Sequence, residues 1–460
     1  MEKNGGLARI PWQKIRQQSL PWTLSPAQVL VIGFASIILL GALLLTLPAA
    51  TTDGQGLNFI DALFEATSAV CVTGLVVVDT GTVLTPFGQT VIIFLIQVGG
   101  LGFMTVATLF AIMLGKRIGL RERLLMQEAL NQITIQGVVK LTRYILIATF
   151  IIEGTAALIL TAVWLKDLGW PRAFYFGLFH AISAFCNAGF DLFGNFRSLT
   201  GYVANPWVNI VIMSLITLGG IGFTVMADVY QKRSFARFSL HTKMVLTISL
   251  LLVVGGAAGI LVLENSNPKT LGALGPGGKI LAAFFQSVTP RTAGYNTLDM
   301  PSLTTATQFL LIILMFIGAS PGSTGGGIKT TTFGALLAAA WATINGKEEA
   351  EVFRRRLSEV TVFKALAIAM AAGLLVMVVT MALSVTEQAE FITVLFETVS
   401  AFGTVGLSLG LTPNLTDVGK LLITLTMFAG RVGPLTLAIA LAQKGKKTLI
   451  RQPEEKIMVG

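Results

Sequence analysis

A short motif that ends in glycine occurs four times along the chain, and its residues suit coordination of an ion by the backbone. The copies read LFEATSAVCVTGL at 63–75, LFHAISAFCNAGF at 178–190, AFFQSVTPRTAGY at 283–295 and LFETVSAFGTVGL at 395–407. Glycine is required where φ is positive or where a carbonyl must point inward without a Cβ clash. The residues just before each glycine include no carboxylate, so carbonyl oxygens would replace the hydration shell of a monovalent cation.

We predict that these four segments form a cation filter, with ions held at the aligned glycines. A single loop of this kind is usually a turn or a packing feature, since glycine is common in membrane helices. Four copies at matching places favour a functional role instead. The predicted filter residues are Val70, Cys71, Val72, Thr73 and Gly74 in the first copy, Cys186, Asn187, Ala188 and Gly189 in the second, Arg291, Thr292, Ala293 and Gly294 in the third, and Gly403, Thr404, Val405 and Gly406 in the fourth.

A glycine-rich break interrupts the apolar stretch from 305 to 341. As one continuous helix, that stretch would be about 55 Å long, whereas the hydrocarbon core of a bilayer is ~30 Å thick. Its middle reads ASPGSTGGGIKTTT at 319–332, and such proline and glycine content breaks a helix. We therefore predict a helix–loop–helix whose loop, 318–329, lies within the membrane below the filter and acts as a gate.

Two other interpretations of the break fit the residues less well. A phosphate-binding loop needs glycine directly before its lysine and a preceding strand, but here Ile328 precedes Lys329 and an apolar helix comes first. A kink that only serves packing would account for one glycine and not for this cluster.

Arg431 lies in the apolar sequence MFAGRVGPL at 427–435, which predicts a charge near the middle of the last apolar helix. Such a charge costs ~2.5–3.5 kcal/mol on insertion scales and usually marks function. We predict that Arg431 hydrogen-bonds the 320–327 loop and holds it across the pathway. A structural ion pair with Glu153 or another acid is the alternative. The predicted gate residues are Gly318, Ser320, Gly322, Ser323, Thr324, Gly325, Gly326, Gly327, Lys329 and Arg431.

Four further polar residues accompany the motifs. Glu65 and Glu397 are predicted to begin their short helices, where the helix dipole favours a carboxylate, in a supporting role. His180 occupies the same position in the second copy and is predicted to cap its helix. Arg291 is expected to point away from the pore axis toward an acid.

The composition of the chain predicts that these motifs lie among membrane-spanning helices. Of the 460 residues, 53% are hydrophobic and only 12% are charged, and the mean hydropathy is +0.76. Soluble domains carry roughly 25% charged residues, so soluble classes are excluded. We predict an all-α membrane protein with eight transmembrane helices, arranged as four like-oriented helix–pore loop–helix repeats around a central pore. The predicted spans are 27–47, 86–114, 144–165, 206–230, 244–263, 305–341, 365–383 and 418–442.

In the second and fourth spans, the matching sequences QVGGLGF (97–103) and TLGGIGF (217–223) are interpreted as close-packing patches in preference to points of curvature.

Charge gives the expected orientation. Most of the 33 lysines and arginines lie in the N-terminus, in the loops after the second, fourth and sixth spans, and in the C-terminus. Positive loops stay in the cytoplasm, so both termini are predicted to be cytoplasmic, and the charge of +10 does not indicate nucleic-acid binding. The predicted segments are the cytoplasmic N-terminus 1–26, repeat 1 at 27–114, a loop at 115–143, repeat 2 at 144–230, a loop at 231–243, repeat 3 at 244–341, a loop at 342–364, repeat 4 at 365–442 and the cytoplasmic C-terminus 443–460.

With four such modules, one glycine per filter segment, a glycine-rich break and an intramembrane arginine, the sequence resembles the Trk/Ktr/HKT superfamily of potassium transporters over nearly its whole length. Within it, the short N-terminus and eight spans are similar to the membrane subunits of bacterial Ktr systems. The resemblance implies potassium uptake across the bacterial plasma membrane, K⁺ at Gly74, Gly189, Gly294 and Gly406, and Na⁺ as an activator. It also implies a homodimer regulated by a cytosolic ring of nucleotide-binding KtrA-type subunits.

Two other functional classes fit the residues less well. A secondary transporter with alternating access, coupled to sodium or moving another monovalent cation, typically has inverted repeats and ionisable residues at mid-membrane. An enzyme would need a nucleophile–base pair or metal ligands, and two cysteines and two histidines provide no such constellation. We therefore predict a transporter that is not an enzyme and has no organic cofactor of its own.

Overall fold

The computed structural model describes residues 25–102, 105–106, 120–129, 137–434, 436–437 and 455. The predicted termini 1–26 and 443–460 therefore lie almost entirely outside the described residues, as do parts of the predicted first loop and the ends of predicted repeats 1 and 4. The α-helices are α1 (Pro26–Leu45), α2 (Phe59–Val70), α3 (Pro86–Leu101), α4 (Leu120–Ala129), α5 (Val138–Leu168), α6 (Trp170–Phe185), α7 (Pro206–Gly220), α8 (Phe223–Lys232), α9 (Leu240–Glu264), α10 (Pro276–Val288), α11 (Thr305–Phe316), α12 (Thr330–Ile344), α13 (Glu359–Thr386), α14 (Phe391–Gly403) and α15 (Asp417–Val432).

A small hairpin departs from the all-α prediction. Strands β1 (Glu351–Val352) and β2 (Arg355–Arg356) pair antiparallel in the predicted 342–364 loop. Single turns of 3₁₀-helix occur at Pro48–Ala50, Thr200–Tyr202, Phe235–Arg237, Leu271–Ala273 and Thr412–Asn414.

Four helices are long and apolar enough to cross a bilayer alone, namely α1, α5, α9 and α13. The bent pair α7 and α8 passes the same test if it is counted as one span, which raises the number among the described residues to five. The remaining predicted spans correspond to shorter helices or continue beyond the described residues. Eight complete spans therefore stay a prediction.

The helix that follows each short helix begins at a side-chain cap. The caps are Thr85, Asn205, Thr304 and Thr416, each of which accepts a hydrogen bond from a backbone N–H of the first turn. Such caps satisfy the otherwise free N–H groups at a helix start. The helices α3, α7, α11 and α15 thus start at well-defined points beside the predicted filter.

The predicted span 206–230 is divided between two helices in the structure. Helix α7 ends at Gly220 and α8 leaves it at an angle of 97°. Gly222 has a φ of +94°, and the N–H of Phe223 donates to the carbonyl of Gly322 at 2.9 Å. A tertiary contact from the glycine-rich loop thus replaces the helical hydrogen bond and turns the chain. Gly102 and Gly433, just after α3 and α15, also have positive φ.

The short helices lie at the centre of the molecule and the long ones outside. One phenylalanine near the start of each motif is fully buried, namely Phe64, Phe179, Phe285 and Phe396. Each long helix packs against the short helix that follows it, and the outer faces of the long helices expose many leucines, isoleucines and valines. Apolar surface on that scale requires an apolar surrounding. The fold therefore surrounds a buried centre with helices suited to lipid contact.

Candidate ion pathway

Each predicted filter segment leaves its short helix through two left-handed positions separated by one residue. The second of these is the motif glycine, at φ values of +88° for Gly74, +72° for Gly189, +80° for Gly294 and +90° for Gly406. The first is not a glycine. It is Val72, Asn187, Thr292 or Thr404. Positive φ at a β-branched residue is costly and is found where the surroundings impose it. The same strained backbone thus occurs four times.

The four glycines form a closed ring in chain order. A methyl group built on Gly189 would lie 2.6 Å from the carbonyl oxygen of Ala293, and one on Gly294 would lie 2.6 Å from that of Val405. Methyl groups on the other two glycines would collide with the carbonyls of Ala188 and Thr73. Each glycine therefore adjoins the residue before the next glycine, and no side chain fits between them.

Hydroxyl groups on the short helices fix these segments. Ser68 and Ser400 accept hydrogen bonds from the N–H groups of Gly74 and Gly406 at 3.0 and 3.1 Å. Ser183 donates to the carbonyl of Phe190 at 2.9 Å. These residues were not among the predicted site residues, although a serine stands six positions before the glycine in three of the four motifs.

Glu65, His180 and Glu397 do not begin or cap their helices as predicted. Each lies well inside its helix because the helices start earlier, and Asn58 caps α2. Their side chains instead accept hydrogen bonds from the chain just beyond the filter. Glu65 accepts from the N–H groups of Val77 and Val78, His180 from that of Leu192, and Glu397 from Ser408, Leu409, Leu411 and Thr412. A supporting role is consistent with these contacts, although the predicted positions of the three residues at the helix starts are wrong.

A cavity of about 280 Å³ opens directly onto one side of the glycine ring. All four motif glycines line it, together with the carboxylates Asp79, Asp191 and Asp299, and none of its described lining residues is basic. Asp191 accepts a hydrogen bond from the N–H of Phe193 at 2.9 Å. Partial burial and the neighbouring Asp79 raise the pKa of Asp191 to about 7, against the opposing effect of the Phe193 N–H and Arg197. The cavity beside the ring is thus acidic.

On the other side of the ring, residues 317–329 form a non-helical loop between α11 and α12. The N–H of Gly326 donates to the hydroxyl of Thr404 at 3.1 Å, and the hydroxyl of Thr324 contacts Asn187 at 3.3 Å. A methyl group on Gly325 would collide with Thr292. The loop therefore lies against the first left-handed residue of three of the four filter segments.

Two cationic side chains hold this loop. Arg431 donates hydrogen bonds to the carbonyls of Thr324 and Gly99, and also to that of Gly100 at 3.3 Å. Lys329 donates to the carbonyl of Gly325 at 2.7 Å. The predicted contact between Arg431 and the loop is present, but Arg431 lies in the last turn of α15 and not mid-helix, because the helix ends before Gly433.

Glu153 does not pair with Arg431, contrary to the alternative interpretation. Its carboxylate accepts a hydrogen bond from Gln97 at 3.2 Å and contacts the thiol of Cys186 at 3.8 Å. Glu153 is buried, so this small cluster holds the start of the second filter segment against helices α3 and α5.

Arg291 does point away from the ring, but no acid meets it. It lines a lateral pocket between α7 and α9, and its guanidinium forms no ion pair or hydrogen bond with the side chains that the structure describes. The expected acid partner is therefore wrong for the described residues.

The glycine patches in the second and fourth spans combine close packing with a break. Gly99 and Gly219 abut the carbonyls of Val70 and Phe185 at the ends of the short helices, where a methyl group would collide. The packing interpretation therefore holds for these two glycines. The curvature interpretation applies at Gly222, where the chain turns between α7 and α8.

Comparison with known proteins identifies the family of the chain. The family model described as TrkH, a cation transport protein, matches residues 11–448. The chain belongs to this family. The resemblance to the Trk/Ktr/HKT superfamily is thereby confirmed, and this cation transport protein is not an enzyme.

The sequences of individual relatives match this chain over nearly its full length. The Ktr system potassium uptake protein B of Bacillus subtilis (strain 168) is 50% identical over 436 residues, which cover 95% of this chain and 97% of that protein. The potassium/sodium uptake protein NtpJ of Enterococcus hirae is 42% identical over 445 residues, covering 95% and 98%. The crystal structure of the potassium transporter TrkH from Vibrio parahaemolyticus matches with a TM-score of 0.72 at 19% identity, covering 93% of this chain and 86% of that one. The helical membrane-protein fold is therefore shared with TrkH.

Proposed function

We propose that the protein takes up potassium across the bacterial plasma membrane through the ring of its four motif glycines. The observation that carries the proposal is the closed ring itself, because it excludes side chains and leaves backbone carbonyls to face an ion. Carbonyl rings suit a dehydrated monovalent cation. The choice of potassium is supported by relatives named as potassium uptake proteins.

The proposed filter comprises the residues from Val70, Cys186, Arg291 and Gly403 to the glycine of each motif. In this arrangement four like-oriented repeats with eight spans surround the ring. The repeated sequence motif, the repeated helix caps and the repeated pair of left-handed residues support it. The distribution of basic residues supports cytoplasmic termini, and in that orientation the acidic cavity would face the outside of the cell.

The loop 318–329 is the proposed gate, held closed by Arg431 and Lys329. Its contacts with Asn187, Thr292 and Thr404 support a position directly across the pathway. Non-helical backbone at membrane depth is tolerated where it is buried in protein or lines a wet cavity, which fits a gate. Two positive charges just below the filter would also oppose cation passage when the loop is in place.

Two relatives are named as parts of a Ktr system, which supports a complex as the working form. We propose a homodimer of this chain with a cytosolic ring of nucleotide-binding KtrA-type subunits. Na⁺ is the proposed activator. A second candidate is a secondary transporter that is coupled to sodium or moves another monovalent cation. The relative named as a potassium/sodium uptake protein supports this candidate.

Tracer flux into liposomes that contain the purified chain tests the proposal. Uptake of potassium, rubidium and sodium is compared for the native chain, for Gly294→Ser in the ring and for Gly373→Ser on α13, where a built methyl group meets no atom within 4 Å. We expect potassium to be preferred over sodium, with this preference reduced by Gly294→Ser and unchanged by Gly373→Ser. Equal preference in all three proteins would overturn the filter assignment. Uptake that requires a sodium gradient would favour the second candidate.

A further inference from the structure

A lateral pocket of about 270 Å³ lies between α7 and α9, beside the third filter segment. Its walls are apolar and include Ile216, Leu250 and Val253. Arg291 lines the same pocket and is only 7% exposed. A buried arginine therefore lines a mostly apolar space beside the filter.

Nothing among the described residues neutralises this charge. Arg291 has neither an ion pair nor a hydrogen-bond acceptor for its guanidinium there. In the same pocket the buried hydroxyl of Ser249 also has no partner within the described chain. Cys186, three residues before its own motif glycine as Arg291 is, faces Gln97 and the carboxylate of Glu153. At this position the third segment thus has a charged side chain without a partner among the described residues, whereas the second segment has a hydrogen-bonded cluster.

An unpaired charge that is buried in an apolar pocket is expensive, and it is normally compensated by an opposite charge with hydrogen bonds. The five donors of a guanidinium match the oxygens of a phosphate in a bidentate arrangement. The apolar walls favour an acyl chain over a free ion, and Leu250 at the pocket edge is 65% exposed on the face suited to lipid. Basic pockets between membrane helices on the cytoplasmic side are known to bind the head groups of anionic lipids.

We propose that this pocket binds an anionic phospholipid, with the phosphate at Arg291 and Ser249 and an acyl chain along Leu250 and Val253. The carbonyl of Arg291 accepts a hydrogen bond from Asn187 at 3.2 Å. The bound lipid therefore neutralises a charge on a residue that is part of the contact between the second and third filter segments.

Fluorescence quenching in vesicles tests this proposal without any transport measurement, so its outcome does not depend on the proposed function. Leu250→Trp places a reporter at the pocket. Leu251→Trp is the matched control, because Leu251 is 63% exposed on the same helix and does not line the pocket. The full-length proteins are reconstituted with brominated phosphatidylglycerol or brominated phosphatidylcholine. We expect the added tryptophan at 250 to be quenched at an about fivefold lower mole fraction of the anionic lipid, and the one at 251 to be quenched equally by both.

Two further substitutions identify the chemistry. In the Leu250→Trp background, Arg291→Gln should remove the preference for the anionic lipid, whereas Arg291→Lys should retain part of it. Ser249→Phe fills the pocket and leaves Arg291 in place, so it provides the same test if the filter does not tolerate Arg291→Gln. Equal quenching by both lipids at position 250 would overturn the proposal. Displacement of the brominated lipid by inorganic phosphate alone would also overturn it, because the site would then take a free anion.

Discussion

Arg431 and Thr324 are 107 positions apart in sequence and joined by a hydrogen bond from the Arg431 guanidinium to the Thr324 carbonyl oxygen. The same guanidinium also reaches the carbonyls of Gly99 and Gly100 on α3. One side chain therefore ties the loop between α11 and α12 to the end of a helix from another part of the chain. Hydrogen bonds from a charged donor contribute about 1.5–3 kcal/mol each, so Arg431 contributes strongly to the position of this loop.

Replacing Arg431 with glutamine should increase cation flux. The amide cannot reach both carbonyl groups and carries no charge, so both the hold on the loop and the barrier to cations weaken. Loss of one charge-assisted hydrogen bond shifts the opening equilibrium by about tenfold or more. The measurement is the initial rate of rubidium uptake into liposomes with the purified chain.

Arg431→Lys separates the two effects, because lysine keeps the charge and loses the forked donor geometry. We expect flux between that of the native chain and that of Arg431→Gln. Lys166→Gln, at an exposed lysine in the last turn of α5, is the control for a lost positive charge. Native flux in Arg431→Gln would contradict the gating role.

Thr404→Val should loosen the same loop from the other side. Valine has nearly the same shape as threonine but cannot accept the hydrogen bond from the N–H of Gly326. A buried N–H without a partner costs about 1–3 kcal/mol, which should raise flux severalfold. Thr398→Val is the matched control on α14, the helix that ends just before Thr404, because the buried Thr398 hydroxyl bonds only the carbonyl of Val394 one turn earlier. Equal effects of the two substitutions on flux would argue against a specific role for the loop contact.

How much of this arrangement the sequence predicts depends on whether the constraint is local. The four motif glycines were predictable, because a repeated glycine after a short apolar helix reports a local backbone requirement. The end of α7 was not, because a long apolar run is compatible with a continuous helix and the turn depends on a hydrogen bond from Phe223 to the distant Gly322. The positions of Glu65 and His180 within their helices were missed for a local reason, since the earlier helix starts at Asn58 and Gly169 were overlooked. An acidic partner for Arg291 was expected because charged side chains in membranes usually pair. The pocket that Arg291 lines instead lies between two helices, and the sequence pattern does not reveal how those helices pack.

Glu397→Ala should lower the stability of the fold and the flux together. Four groups beyond the fourth filter segment donate hydrogen bonds to this buried carboxylate, from Ser408, Leu409, Leu411 and Thr412. Removing the acceptor leaves buried donors unpaired, at a cost of roughly 2–5 kcal/mol in the free energy of unfolding. The midpoint of thermal unfolding in detergent measures the effect.

Glu359→Gln, at an exposed carboxylate in the first turn of α13, is the control for Glu397→Ala. Unfolding midpoints that agree between the two variants would contradict the supporting role assigned to Glu397. An unchanged potassium preference in the Glu397→Ala protein, despite lower stability, would limit that role to folding.

The acidic cavity should make cation uptake depend on pH through Asp191. Its pKa of about 7 means that the carboxyl group is mostly neutral at pH 6 and mostly ionised at pH 8. A carboxylate at the entrance raises the local cation concentration, so the half-saturating potassium concentration should fall by about twofold to tenfold between pH 6 and pH 8. Asp191→Asn should remove most of this dependence, and Glu390→Gln, at an exposed acid before α14, should leave it unchanged.

Stability gives an independent check on the same group, with the sign fixed by its raised pKa. Because the folded protein binds the Asp191 proton more tightly than the unfolded chain does, the ionised carboxyl group opposes folding at pH values above its unfolded pKa of about 3.8. This cost grows as the pH rises from about 4 and reaches its full size above about 7. Asp191→Asn should therefore raise the unfolding midpoint at pH 8 and have a much smaller effect at pH 4. A gain of equal size at both pH values would mean that the substitution acts through packing and that Asp191 does not titrate near neutral pH.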